Sequence, residues 1–259
     1  MKIIHISDLH FGTHIPDIYH SLLDIIQSKE PDLVLISGDF TQRASKEEFE
    51  VSQSFMGALK SPVFCIPGNH DIPPYPLYER FFHPYRRYKR YIAHDLCPEW
   101  DNEDIALIGL NSARRMLPHW NWANGMVSSA QREKANRFFE AQSQEKWRVC
   151  TFHHPVHKID DMPLNVTVFG HRKTKEMLHK NKVDLVLTGH VHHASINILG
   201  DQEHKTVYLS ASTAVSSRLR AQENGFNEIT FSGEKMKINI YIWEKTKFVP
   251  HTRFEHAKM

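Results

Sequence analysis

Through the first 70 residues, short apolar runs alternate with amphipathic stretches. Residues 2–7 alternate and are rich in Ile, the pattern of a buried strand. Ile18, Leu22, Ile25 and Ile26 fall at i, i+4, i+7 and i+8 and form one helical stripe, with Asp17 placed to cap it. Residues 33–37 are a continuous apolar run of strand length. Ser45 and Glu48 have the spacing of a capping box and open a second helix that turns Val51, Phe55 and Leu59 inward. Residues 63–66 make a third strand after Pro62. Alternation of this kind predicts a parallel sheet covered by helices.

Beyond Pro73, Pro74 and Pro76, residues 77–92 read as an aromatic and basic helix. Such interleaving can bind nucleic acid, although a partly buried helix with solvated charges explains it more simply. Residues 105–110 form a strand, and residues 114–125, with Trp120 and Trp122, form a loop long enough to be functional. Ser128 and Gln131 repeat the capping-box spacing. Strands follow at 148–152 and 183–188, with a helix at 173–179 between them. The strands at 196–199, 205–211, 225–231 and 236–243 have short connections and read as an antiparallel meander. No Gly/Ser linker divides the chain, which reads as one domain over residues 1–259, with two packed sheets and outer helices.

Bulk properties narrow the field only slightly. At 41% hydrophobic and 24% charged residues the composition is that of a globular protein, and a net charge of +2 creates no overall field for nucleic acid or membranes. Cys65, Cys97 and Cys150 are odd in number and form no C-x-x-C, which argues against a disulfide framework or thiolate metal site and fits a reducing compartment. The first apolar run is too short for a signal-peptide core and no window approaches a membrane span, so a soluble cytoplasmic protein is expected. The 19 His are the one unusual count.

Where the apolar runs end is more informative. Residues 66–71 read I-P-G-N-H-D, a strand end and a turn followed by an amide, an imidazole and a carboxylate. Four other runs end in the same way, which collects Asp8, His10, Asp39, Asn69, His70, His153, His190 and His192 at strand termini. In parallel α/β sheets, functional groups gather at the carboxyl ends of strands. Imidazoles and carboxylates without thiolate suit Mn, Fe, Zn or Co, and the set exceeds what one four-coordinate ion needs. Two divalent ions, less the charges of Asp8, Asp39 and one hydroxide, leave a single positive charge, which matches a phosphodiester. Two-metal sites about 3.5–4 Å apart are common in phosphatases and nucleases, where a metal lowers the pKa of bound water to about 7.

The ordered blocks Asp8-x-His10, Gly38-Asp39, Gly68-Asn69-His70-Asp71, His153 and Gly189-His190-x-His192 resemble those of the calcineurin-like metallophosphoesterases. The resemblance implies a four-layer αββα sandwich of two mixed β-sheets with outer helices, and a dinuclear metal centre (Mn, Fe or Zn). It further implies that Asp8, His10, Asp39 and His192 hold one ion and that Asp39, Asn69, His153 and His190 hold the other. Asp39 would bridge them, and His70 would contact the phosphate and protonate the leaving oxygen. The choice of His153 over His154 follows from family position, and His5, His14, His154, His157 and His193 read as ordinary histidines.

The blocks look most like the compact bacterial class III branch, which includes cyclic-nucleotide phosphodiesterases and glycerophosphodiesterases. A cyclic nucleotide or another small phosphodiester is therefore the expected substrate. Asn111, Arg218 and Arg220 are candidates for contacting it. A nuclease, a phosphomonoesterase and a non-catalytic metal-binding partner protein are the alternatives, and relatives of this class are sometimes homodimers.

Overall fold

Alternate residues of the central apolar runs enter two different cores, which is why those runs are apolar throughout. Ile4, Ile6, Val34 and Ile36 pack with Ile18, Leu22, Ile26, Phe49 and Phe55 of two helices. Their neighbours Ile3, Leu33 and Leu35 join Ile105, Leu107, Leu185 and Leu187 in a second core. Strand side chains alternate between faces, so a sheet covered on both sides needs apolar residues at every position.

The computed structural model describes residues 1–117, 123–157, 168–220 and 222–258. The first half runs β1 (Lys2–Ile6), α1 (Pro16–Lys29), β2 (Leu33–Ile36), α2 (Lys46–Ala58), β3 (Val63–Cys65), a 3₁₀ turn at Asn69–Asp71, α3 (Leu77–Phe82), α4 (Arg86–Tyr91), β4 (Glu99–Asp101) and β5 (Ile105–Gly109). Then come β6 (Gly125–Met126), α5 (Ser129–Glu140), β7 (Trp147–Thr151), β8 (Val168–Phe169), α6 (His171–Lys180) and β9 (Leu185–Thr188). The chain closes with β10 (Ser195–Gly200), β11 (Lys205–Ser210), β12 (Gly225–Ser232), β13 (Lys235–Glu244) and β14 (Lys247–Ala257).

One six-stranded sheet has the order β14-β13-β12-β1-β2-β3 and the other β10-β11-β9-β7-β5-β4, with β6 and β8 paired separately. Both are mixed. β1, β2 and β3 are parallel while β12 runs against β1. In the second sheet β5, β7, β9 and β11 are parallel, between antiparallel edges β4 and β10. The first two helices cover one outer face, and Ala135, Phe138, Phe139, Met177 and Leu178 of α5 and α6 cover the other. The architecture is the αββα sandwich. Leu107 is fully buried between the sheets. Leu107→Ala should cost about 2–5 kcal/mol in denaturant unfolding, and an unmoved midpoint would show that this shared core does not hold the sheets together.

Both capping boxes form, Ser45 with Glu48 and Ser128 with Gln131. Three expectations change. Asp17 does not cap α1; Ile15 holds the cap position without a side-chain bond, and Pro16 starts the helix, a position where a missing N–H costs nothing. The helix expected over 77–92 is two short ones, broken at His83 and Pro84 because proline disrupts a helix interior. The late strands are not one meander. β10 and β11 complete the second sheet, whereas β12, β13 and β14 extend the first. β14 has no sustained apolar alternation to mark it, since most of its positions are exposed and Pro250 interrupts it, features of an edge strand. Trp120 and Trp122 lie outside the described residues.

Candidate metal centre

Asp8 follows β1, Asp39 follows β2, Asn69 and His70 form the turn after β3, His153 follows β7, and His190 and His192 follow β9. Five parallel strands drawn from both sheets thus deliver their ends to one place. The loops are bound to each other through the backbone: Asp8 N donates to Gly38 O at 3.1 Å, His10 N to Asp39 O at 3.0 Å and Gly189 N to His153 O at 3.0 Å. Of the nine non-glycine residues with positive φ among those described, five are Asp8, His10, Asp39, His190 and His192. Left-handed backbone at such residues costs on the order of 1–3 kcal/mol each and concentrates at functional sites. The motif glycines answer to crowding. A Cβ on Gly68 would fall 2.1 Å from Asp39 Oδ1, and one on Gly189 would fall 1.8 Å from Ser7 Oγ and 2.5 Å from Asp8 Oδ2.

Each aspartate is split between two tasks. Asp8 Oδ2 accepts from His190 N at 2.9 Å and Asp39 Oδ1 accepts from His70 N at 2.8 Å. The other oxygens face imidazoles. Asp8 Oδ1 lies 3.1 Å from His192 Nε2 and 3.6 Å from His10 Nε2. Asp39 Oδ2 lies 3.2 Å from His153 Nε2 and 3.7 Å from His10 Nε2, between the two groups of histidines.

The rings are oriented from behind. Nδ1 of His10, His153 and His192 sits against the carbonyls of Thr41 (3.2 Å), Ser37 (2.7 Å) and Arg218 (2.7 Å). A carbonyl only accepts, so each Nδ1 donates its proton and a neutral ring offers Nε2 as a lone pair. His10 Nε2 and His192 Nε2 then face each other at 3.1 Å, an arrangement that calls for a cation. His153 Nε2, Asp8 Oδ1 and Asn69 Oδ1 are buried without a hydrogen-bond partner. Donor atoms of Asp8, His10 and His192, of His10, Asp39 and His70, of Asp8, Asp39 and His153, and of His153, His154 and His190 each lie within 4.8 Å of one another. The set fits divalent metal.

The electrostatics agree. Burial works to raise Asp8, but His192 and His10 outweigh it and hold the carboxyl well below the usual range. Burial likewise opposes the strong lowering of Asp39, which comes chiefly from His153 and then His70. For His153, burial would lower the pKa, yet Asp39 pushes it up to about 9. The pocket demands positive charge at that nitrogen, whether a proton or a metal ion. Burial, followed by the His153 charge, pushes His190 down to about 3 and keeps its ring neutral.

His154 is part of the same cluster but spends both nitrogens elsewhere, Nδ1 on Ser112 Oγ at 2.8 Å and Nε2 on Ala123 O at 2.9 Å. His5 is similarly engaged, with Ser37 Oγ at 2.9 Å and Asn227 Nδ2 at 3.2 Å. His70 Nδ1 donates to Gln42 O at 2.7 Å, and its Nε2 receives Arg218 Nη1 at 3.2 Å, so its free edge is turned to a guanidinium. Gln42 Oε1 also accepts from Arg218 Nη1 at 3.0 Å. This clamp was not visible in the sequence, where Gln42 is only an amide two residues past a strand-end motif. Asp71 holds the turn, accepting from Thr41 N, Thr41 Oγ1 and Gly68 N at 3.0, 3.1 and 2.9 Å.

The candidate substrate contacts separate. Arg218 is at the site. Arg220 is exposed and beside it, with Asp8 and Asp39 acting on its charge. Asn111 is buried, and its Oδ1 accepts from Ala113 N at 2.9 Å, a bond within its own loop. A cleft of ≈ 700 Å³ runs from Asn69 and His70 past Gln42 and Arg43 to Tyr75.

Residues 1–194 match the sequence model of the calcineurin-like phosphoesterases. The chain belongs to this family. The phosphoesterase is 25% identical over 242 residues to a probable glycerophosphodiester phosphodiesterase, GpdQ, of Arcobacter nitrofigilis, a match covering 92% of this chain and 83% of the relative. A shorter match, 34% over 82 residues, is to the glycerophosphodiester phosphodiesterase GpdQ of Enterobacter lignolyticus and covers 27% of this chain and 30% of that protein. The crystal structure of a dimetal phosphatase from Danio rerio superposes with a TM-score of 0.72 at 11% identity, covering 100% of this chain and 99% of that one, a likeness of fold. Among the described residues no helix is long and apolar enough to cross a membrane.

Proposed function

We propose that this phosphoesterase hydrolyses small phosphodiesters at a dinuclear centre. Asp8, His10, Asp39 and His192 would hold one ion, and Asp39, Asn69, His153 and His190 the other. The observation that carries the reading is the convergence of buried Nε2 and carboxylate oxygen atoms whose own hydrogen-bond needs are met from behind, leaving donors aimed at one another. Two divalent ions there, Mn, Fe or Zn, would lower the pKa of water and stabilise charge on the phosphoryl oxygens.

The chain's own residues supply the rest. Asp39 Oδ2 stands between His10 and His153, the place of a shared ligand. Asn69 contributes a neutral oxygen, which limits the negative charge of the site. His70 is held at Nδ1 by Gln42, and its Nε2 accepts from Arg218 here, so it gives a proton to a leaving oxygen only as the imidazolium, once Arg218 has moved from that nitrogen to the phosphate. Arg218, already within reach of that nitrogen, is positioned to take a non-bridging phosphate oxygen.

Cyclic nucleotides are the first substrate class of this proposal, and the names of the GpdQ relatives favour glycerophosphodiesters as the second. The three free cysteines suit a reducing compartment, which for this reading is the cytoplasm. A test is to strip metal, restore Mn²⁺ and measure turnover of bis-p-nitrophenyl phosphate beside the monoester. Metal-restored cleavage of the diester is expected. Preference for the monoester would make the protein a phosphomonoesterase, and no turnover of either with two ions bound would sink the catalytic reading.

A further inference from the structure

Residues 75–92 take no part in the chemistry above, yet they build a two-sided surface. The inner side is closed. Glu79 and Arg80 of α3 and Tyr88 of α4 are buried, and Glu79 receives Arg87 through both carboxylate oxygens at 3.0 and 2.6 Å. The outer side is apolar. Tyr75, Leu77, Tyr78 and Phe82 are 75%, 48%, 61% and 74% exposed. Met116, 55% exposed, lies on the loop that joins this segment, where Arg115 donates to Phe81 O and Arg80 Nε donates to Arg115 O at 2.9 Å. Of the eight large hydrophobic side chains exposed among the described residues, these are five. That concentration separates them from the scattered exposed hydrophobics any surface carries.

Cations flank the patch. Arg86, Lys89 and Arg90 are exposed, and Arg86 and Arg90 share a groove with Tyr78, Lys46 and the carboxylate of Glu47. Residues 75–92 contain five Lys and Arg and one carboxylate, in a chain whose net charge is only +2. That carboxylate is Glu79, which is already spent on Arg87.

We propose that this face seats on an anionic lipid bilayer, with Tyr75, Tyr78, Phe82 and Met116 entering the boundary between headgroups and acyl chains and the exposed cations meeting lipid phosphates. Apolar tips beside basic residues are the signature of a surface that lies in the membrane interface. Leu77 and Met116 favour this occupant over single-stranded nucleic acid, since aliphatic side chains gain from an acyl environment but offer bases no stacking face. Tyr75 also lines the catalytic cleft, so docking turns the mouth of the cleft toward the headgroups. The surface goes beyond the hydrolytic reading, and its test reads binding, so that either can fail alone.

The test is flotation of the full chain with phosphatidylcholine vesicles that contain or lack phosphatidylglycerol. The chain is expected to float with the anionic vesicles at low salt and to be released as salt rises. Tyr78→Ser with Phe82→Ser should weaken partitioning at least about 10-fold. Arg86→Gln with Arg90→Gln should weaken it about 30-fold on anionic vesicles only. All four residues are exposed or flank the patch without buried bonds, and soluble diester turnover should be unchanged in both double variants. A wild-type chain that stays out of the anionic vesicle fraction at low salt overturns the proposal, as do variants that float like the wild type. Binding of single-stranded DNA without vesicles, or a dimer lost in the Tyr78 and Phe82 variant without vesicle binding, would reassign the face to those occupants and overturn it equally.

Discussion

Asp39→Ala is expected to lose bound metal and phosphodiester turnover together, by more than the ~10²-fold that removal of an outer partner costs at a metal site. Asp39 is nearly fully buried, and its two oxygens serve different neighbours. Oδ1 fixes the turn by accepting from His70 N, and Oδ2 faces His153 Nε2 at 3.2 Å and His10 Nε2 at 3.7 Å. Truncation removes the negative charge that both groups of histidines share. Asp39→Asn separates the two tasks. It keeps an oxygen for His70 N while abolishing the charge, so it should retain the fold and still lose metal. Metal content by elemental analysis, measured beside turnover, checks both variants. Near-normal turnover in either would remove the dinuclear mechanism.

His70→Ala should behave in the opposite way, with metal retained and turnover reduced about 10²–10⁴-fold, the range for general acid catalysis. His70 has a donor atom within 4.8 Å of those of His10 and Asp39, but its Nδ1 is committed to Gln42 O and its Nε2 faces Arg218 Nη1, so in this arrangement both nitrogens are engaged outside a metal shell. The leaving group gives a sharper readout than the rate alone. p-Nitrophenolate departs without a proton, whereas an alkoxide needs one. The loss in His70→Ala should therefore be smaller for bis-p-nitrophenyl phosphate than for a cyclic nucleotide or glycerophosphodiester. Equal losses for both kinds of leaving group would assign His70 to phosphate binding only, and loss of metal would make it a ligand.

The two variants also show why parts of this site could be read from the chain and others could not. Ile3 to Ile6 and Leu33 to Ile36 are local patterns, and their burial on two faces follows from an alternation visible in six residues or fewer. A polar residue at the end of such a run is exposed by sequence alone, because nothing else in the run is polar. Asp8, Asp39, Asn69, His153 and His190 all stood out in this way. Asn111 stood out equally, at the end of β5, but the run does not show what its side chain bonds. Its strand ends beside the others, but its side chain turns back to Ala113 N, a bond set by the conformation of the following loop.

Spacing within a turn or two of chain suffices for the strands with apolar faces, the capped helices α2 and α5, and the polar set at the strand ends. The rest depends on contacts between distant segments. Which sheet received β10 and β11 depended on the edge left open beside β9, and a strand's own pattern does not name its neighbour. His153 and His154 are adjacent and chemically identical, yet Ser112 and Ala123 occupy both nitrogens of one, while Ser37 takes only Nδ1 of the other. The backbone carbonyls of Thr41, Ser37 and Arg218 set the proton positions of three rings, and no side-chain pattern encodes a carbonyl. Hydrogen bonds between segments as far apart as Asp8 and His190 make the pocket, because directional contacts of that kind exist only once the two sheets have closed on their shared core.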